Sequence, residues 1–334
     1  MIRSVSRSAL LCPPYNYSRF IFSAAARHLF TPKQVLFRGT GGGRLNIRAM
    51  AASVSSSSGK ANGEVQQEVK LLNGVYDNYG GVVVQMTESM DSKLFASLIK
   101  SSLSHWKQEG KKGVWIKLPI ELVNLVEVAV KEGFWYHHAE PTYLMLVNWI
   151  HGGANTLPAN ASHRVGVGAF VMNEKREVLV VQEKSGRFRG TGIWKFPTGV
   201  VDQGEDICKA VVREVKEETS IDTEFVEVLS FRQSHQSFFG KSDLFFMCMM
   251  RPLSFDIQKQ ETEIEAAQWM LLEEYMAQPF VQKEGLLKHI IDICLAKLEG
   301  GGYSGFSLMP VTSTFSDQNN YLYYNAGDLK CSKI

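Results

Sequence analysis

Between Asp91 and Lys107 the apolar residues fall at Leu94, Phe95, Leu98, Ile99, Leu103 and Trp106. That spacing of threes and fours predicts a helix with one buried face, and Asp91 and Ser92 are suited to cap its first turn. Val69–Gly74, Gly80–Met86 and the alternating Lys112–Leu118 predict strands. Pro119 opens a second helix running through Val130 and ending near Gly133, and Phe134–Ala139 and Tyr143–Trp149 follow as two more strands. Residues 65–150 thus form an α/β unit of order β-β-α-β-α-β-β. Alternation along a strand sends the neighbours His137 and His138 to opposite faces, which argues against a shared metal. Trp115, Trp135, Tyr136 and Trp149 are assigned to core or interface.

The Gly, Pro and Asn of His151–Asn160 mark a linker, taken as 151–162. Val165–Met172 and Glu177–Glu183 flank a polar turn at Asn173–Arg176 and predict a hairpin. Glu205–Thr219 contains no Pro or Gly, and Ile207, Val211, Val212 and Val215 give it an apolar stripe. The second domain is placed at 163–298. The remaining stretch, 299–334, is treated as a tail in which SLMPVTSTF folds back as an extended segment and the rest is mobile.

Composition adds a boundary at the other end. Residues 1–63 hold nine of the 36 Lys and Arg and no acid at all, the first being Glu64. An Arg- and Ser-rich, acid-free leader resembles an organellar transit peptide, chloroplast or mitochondrial, followed by the flexible linker AASVSSSSGKANG. Initiation at Met50 gives a cytoplasmic alternative. The rest of the chain carries 27 basic against 34 acidic residues, a balance that does not attract nucleic acid broadly. No apolar run approaches the roughly 18 residues of a membrane helix. Five scattered cysteines without a CxxC pair argue against a zinc site or a disulfide framework.

The candidate chemistry sits on the helix at Glu205–Thr219. Glu214, Glu217 and Glu218 are spaced i, i+3 and i, i+4, so they share a face. Like charges there destabilise a bare helix by a few tenths of a kcal/mol per pair. Arg213 and Lys216 offer some counter-charge; a hard divalent cation, Mg²⁺ or Mn²⁺, offers more. On carboxylates alone a solvated acidic face is the competing description.

The wider spacing decides between them. Gly199, Glu205, Arg213, Glu214, Val215, Glu217, Glu218 and Ile221 occupy eight of the nine fixed positions of G-x5-E-x7-R-E-U-x-E-E-x-G-U, U being a bulky aliphatic residue. This resembles the Nudix box of the Nudix hydrolases. The resemblance implies an α/β/α sandwich around a mixed sheet and metal-dependent cleavage of a pyrophosphate bond. Glu214, Glu217 and Glu218, with the Gly199 carbonyl, would be metal ligands, with Glu214 and Glu217 the catalytic candidates. Glu205 and Arg213 would be the ion pair orienting the ligand helix. Glu261 or Glu263, just before Trp269, is a further candidate for base or metal ligand, with an exposed strand edge as the alternative. Ser220 replaces the pattern's Gly, at a cost on the order of 1–2 kcal/mol if left-handed geometry is kept.

Beyond the box, FVEVLSFRQSH (225–235), KSDLFFMCMMRPLS (241–254) and EIEAAQWM (263–270) look like plant Nudix hydrolases grouped with ADP-ribose/NADH pyrophosphatases. That group carries a pre-Nudix domain resembling half of an acetyltransferase-like fold, which residues 65–150 fit. The partner so implied is a small dinucleotide or nucleotide sugar, with no nucleic acid and no membrane; a homodimer is compatible. The substrate itself is less legible, because SHQSFFGKS (234–242) lacks the prolines of the NADH signature. Arg187, Arg189, Arg232 and Lys241 are candidates to neutralise phosphates, and Phe238 and Phe239 to stack on a base. A weakly active nucleotide sensor is the competing function.

Overall fold

The computed structural model describes residues 70–300, 302–313 and 316–327. The leader expected at 1–63 lies outside them. Two compact units divide at residues 161 and 162.

The first unit has the strands β1 (Gly74–Tyr76), β2 (Val82–Gln85), β3 (Gly113–Pro119), β4 (Trp135–Glu140) and β5 (Tyr143–Trp149) in one sheet of order β1-β2-β3-β5-β4. Only β2 and β3 are parallel, and such a pair needs a crossover. Helix α1 (Ser92–Gln108) supplies it. The Asp91 carboxylate accepts from the Lys93 and Leu94 amides at 2.9 and 3.3 Å, as the sequence predicts for a cap. Phe95, Ile99, Ser102 and Trp106 are buried against Val82, Val84, Val114, Ile116 and Leu118.

Three expectations for this unit need correction. The first strand begins at Gly74, because the Leu72 N–H is taken by Ser102 Oγ at 2.8 Å and leaves the ladder unformed before it. The second helix is a 3-10 turn at Ile120–Leu125, kinked at Leu122, followed by α2 (Val126–Lys131). His137 and His138 do not point to opposite faces. The β4–β5 register slips between Tyr136 and His138, and this bulge brings the two Nδ1 atoms to 2.7 Å. His137 Nε2 also reaches the Pro158 carbonyl at 3.0 Å. Residues 151–161 are therefore tied to this unit, with Trp149 Nε1 donating to Gly153 O at 3.0 Å as well.

The second unit is an α/β/α sandwich. Its main sheet has the order β8 (Thr198–Val200), β6 (His163–Val171), β10 (Ser242–Pro252), β9 (Thr223–Ser234) and is mixed, β6 and β10 being parallel. Helix α3 (Ile207–Thr219) covers one face through Ala210, Val211 and Val215, packed on Val167, Ala169, Val171 and Cys248. Helices α4 (Leu272–Ala277), α5 (Pro279–Lys283) and α6 (Gly285–Leu298) cover the other, where Tyr275, Ile291 and Cys294 meet Phe170, Leu229 and Met247.

The hairpin expected between β6 and β7 (Glu177–Glu183) is only a turn. Asn173 Oδ1 accepts from the Lys175 and Glu177 amides at 2.9 and 3.0 Å, but a single bridge, Met172 to Val178, joins the strands. β7 pairs instead with β11 (Ile264–Leu271) in a separate ribbon. Val178, Leu179, Val180 and Val181 are all buried, Leu179 toward α3 and Val178 and Val180 toward α4–α6. A strand buried on both faces shows no alternation from which its partner could be chosen.

The extended segment expected in the tail is a strand, and the part expected to be mobile is folded where it is described. β12 (Ser307–Ser313) and β13 (Ser316–Tyr324) pair antiparallel. Phe306 and Val228 of β9 exchange backbone hydrogen bonds at 2.8 and 3.1 Å.

Candidate active site

Helix α3 starts after Asp206, whose backbone is extended, and ends at Ser220, whose φ of 61° and ψ of 8° are left-handed. The Gly-to-Ser departure thus keeps the backbone that the pattern's glycine serves. The Ser220 carbonyl accepts from Lys216 Nζ at 3.0 Å. Between these ends the buried stripe fixes the helix rotation, and Glu214, Glu217 and Glu218 lie along its margin.

Arg213 organises the margin. Its Nε and Nη2 each donate to Glu205 at 2.8 Å, and Nη2 also donates to the Val200 carbonyl at 2.9 Å. Nη1 reaches Glu214 Oε1 at 2.9 Å and Glu217 Oε2 at 3.2 Å. The Glu205 carboxyl is held below its usual range by these bonds, despite partial burial, and its Oε2 accepts from the Asp202 amide at 3.0 Å. The sequence's ion pair is thus present as a bidentate fork.

Glu214 Oε1 also accepts from the Val200 amide at 3.2 Å. Burial raises the Glu214 pKa, against the lowering effect of Arg213. Gly199 lets this side chain through: a Cβ there would lie 1.8 Å from Glu214 Cδ. Glu217 is half-exposed. Glu218 is buried, its Oε2 has no hydrogen-bond partner, and burial pushes its pKa up to about 8.

Lys195 was not singled out by sequence reasoning, yet its charge is the largest influence opposing the burial of Glu218. Its Nζ lies 2.5 Å from Glu183 Oε1 and donates to Thr198 Oγ1 at 2.7 Å. The available signal was a lone cation two residues before Pro197 at the entrance to the box. Glu183 also lines a cleft of about 380 Å³ with Gln182, Lys184, Phe188, Arg189 and Glu265. The cleft therefore adjoins the carboxylates.

The remaining candidates separate. Glu263 raises the Glu218 pKa, less than Glu214 and Glu183 do. Glu261 is exposed and held by Lys184 and Lys259 at 3.2 and 2.8 Å, which lower its pKa. Arg232 lies near the end of β9 and pairs with Asp243 of β10 at 3.8 Å, while Phe238 and Phe239 are in the β9–β10 connection, Phe238 packing edge-on against the exposed Phe239.

A divalent cation fits this chemistry. The donor set is oxygen-rich, Glu218 Oε2 is a buried acceptor without a donor, and the missing Cβ at Gly199 opens its backbone to Glu214. Among the described residues no three His, Cys, Asp or Glu side chains already converge on one point; Arg213 Nη1 stands between Glu214 and Glu217.

Comparison with known proteins identifies the family. A family model for the Nudix hydrolase domain matches residues 72–150, and one for the NUDIX domain matches 162–289. The chain is 60% identical over 280 residues to Nudix hydrolase 2 of Arabidopsis thaliana, covering 84% of this chain and 99% of that protein. The chain belongs to the Nudix hydrolase family. Arabidopsis Nudix hydrolase 7 is 53% identical over 270 residues, 80% of this chain and 95% of its own length. Human nucleoside diphosphate-linked moiety X motif 6 is 37% identical over 207 residues, 60% of this chain and 65% of that one. A solved NUDIX hydrolase from Nitrosomonas europaea aligns with 40% of this chain and 89% of its own, at 26% identity and a TM-score of 0.33. The chain is a Nudix pyrophosphohydrolase, and Nudix hydrolases use divalent metal cations. Among the described residues no helix is long and apolar enough to cross a membrane.

Proposed function

We propose that this Nudix hydrolase cleaves the pyrophosphate bond of a nucleoside diphosphate linked to a second moiety, of the ADP-ribose or NADH type, and releases AMP or another nucleoside monophosphate. The observation that carries the proposal is Glu218, a buried carboxylate with an unpartnered oxygen in the same cluster as Glu214 and Lys195. The name of the human relative, nucleoside diphosphate-linked moiety X motif 6, supports the substrate class.

Glu214, Glu217 and Glu218, with the Gly199 carbonyl, would hold Mg²⁺ or Mn²⁺. The bound cation supplies Lewis-acid stabilisation of charge developing on the phosphoryl oxygens and lowers the pKa of water. The chain's own residues do the rest. Glu205 and Arg213 fix the helix that carries the carboxylates. Lys195, already tied to Glu183, balances part of the buried negative charge. Arg189 and Phe188, in the cleft, are suited to a phosphate and a base face. Glu263 rather than Glu261 is the accessory carboxylate. The substrate is a free nucleotide rather than a nucleic acid, and an organellar site of action, read from residues 1–63, belongs to the same proposal.

The test is product analysis by chromatography on a panel of dinucleotides and nucleotide sugars with Mg²⁺ or Mn²⁺. Release of a nucleoside monophosphate and the complementary phosphate ester is expected. Binding without turnover of any of them overturns the proposal in favour of a nucleotide sensor.

A further inference from the structure

The first turn of α3 is incompletely bonded within the helix. Lys209 and Ala210 both reach back to the Asp206 carbonyl, at 3.0 and 2.9 Å. The Asp206 side chain makes no cap and pairs with Lys209 Nζ at 2.5 Å. The Cys208 N–H, one of the groups a helix leaves without an internal acceptor, donates instead to the hydroxyl of Tyr323 at 3.3 Å.

Tyr323 reaches this amide from β13. Its ring meets Phe225 of β9 edge-on, with centroids 6.3 Å apart. Burial, then the adjacent Cys208 thiol, raises the phenol's pKa, so it stays protonated. The segment that carries it is anchored to β9 independently of α3. Phe306 exchanges two backbone hydrogen bonds with Val228. Gly305 permits that approach, since a Cβ there would lie 2.4 Å from the Val228 carbonyl. The Tyr303 hydroxyl donates to the Leu229 carbonyl, and Asn325 Nδ2 to Ser304 O at 3.0 Å. The C-terminal segment thus bridges the sheet edge to the start of the carboxylate helix.

We propose that Tyr323 is a positioning residue. Its hydroxyl fixes the first turn of α3 against β9, which holds Glu205 and, through it, Arg213 and Glu214 where a divalent cation requires them. This inference rests on the carboxylate reading of the preceding subsection. It requires an effect on metal affinity that exceeds any effect on global stability.

The test uses the full chain and Tyr323→Phe, which keeps the ring and removes only the hydroxyl. Mn²⁺ binding is titrated through the free-ion electron paramagnetic resonance signal, and amide hydrogen exchange is followed at the first turn of α3. Loss of one hydrogen bond should weaken Mn²⁺ binding about three- to tenfold and speed exchange at Cys208. Tyr321→Phe, which keeps the ring near Lys209, should bind as the wild type does. Wild-type Mn²⁺ affinity in Tyr323→Phe overturns the proposal, as does a weakening matched by general acceleration of exchange. If the wild type itself binds no Mn²⁺ while Tyr323→Phe still speeds exchange at Cys208, the carboxylate reading fails and the tie between hairpin and helix stands without it.

Discussion

Arg213 grips Glu205 with two parallel hydrogen bonds, Nε to Oε1 and Nη2 to Oε2, both 2.8 Å. The grip leaves Nη1 free to hold Glu214 and Glu217. Lysine carries the same charge but has no planar fork. Arg213→Lys should therefore lower kcat by about 10- to 100-fold, on the order of the 1.5–3 kcal/mol of a charged hydrogen bond. Steady-state kinetics beside circular dichroism checks this; kcat within twofold of wild type would contradict it.

Gly199 is a second point of tight geometry. A methyl group there would overlap Glu214 Cδ, 1.8 Å away, so Gly199→Ala must displace the carboxylate. We expect a drop in kcat of at least about tenfold, since small displacements at a preorganised site cost that much. Gly152→Ala, where nothing lies within 4 Å, should leave kcat unchanged.

The buried Glu218 makes the metal-free protein sensitive to pH. Its folded pKa of about 8 stands above the ordinary 4.5, so the folded state holds a proton that the unfolded state has released. Stability contributed by the neutral acid is present below about pH 4.5 and declines as pH rises toward about 8. Urea unfolding in a chelator should show the metal-free enzyme less stable near pH 8 than near pH 6, with Glu218→Gln flattening the difference. A cation must expel the same proton, so metal affinity should increase over that interval.

Glu261 and Glu263 should differ. Glu261 is exposed and held by two lysines, whereas Glu263 is near enough for its charge to add to the rise of the Glu218 pKa. Glu261→Gln should keep kcat within about twofold, and Glu263→Gln should lower it about tenfold or more, the scale of general acid–base or electrostatic assistance. Equal effects in the two variants would sink the distinction.

Much of the architecture was legible because it is local. Asp91 before an apolar period of three and four marks α1, and the box spacing places Glu205, Arg213 and the three helix carboxylates in one stretch. What was not legible depends on partners distant in sequence. The bulge at His137 is set by register against β5, and alternation alone gives the wrong face for one imidazole. β7 is apolar on both sides, so nothing in its pattern names β11 over β6. Lys195 gains its place from Glu183 beside an isolated bridge to Val181 of β7. The tail looked mobile because its Gly, Ser and Asn content hides two aromatic anchors, Phe306 and Tyr323, whose partners Val228 and Cys208 are far upstream.

In the proposed function the buried carboxylate of Glu218 on α3 serves pyrophosphate hydrolysis. The most direct measurement of that role compares wild type and Glu218→Gln on the best substrate of the nucleotide panel, at saturating Mg²⁺ or Mn²⁺, with melting followed in parallel. Glutamine preserves shape and removes the charge, so kcat should fall by about 100-fold or more while the fold melts no earlier, metal-assisted charge stabilisation being worth several kcal/mol. A Glu218→Gln enzyme that turns over as fast as the wild type would contradict it.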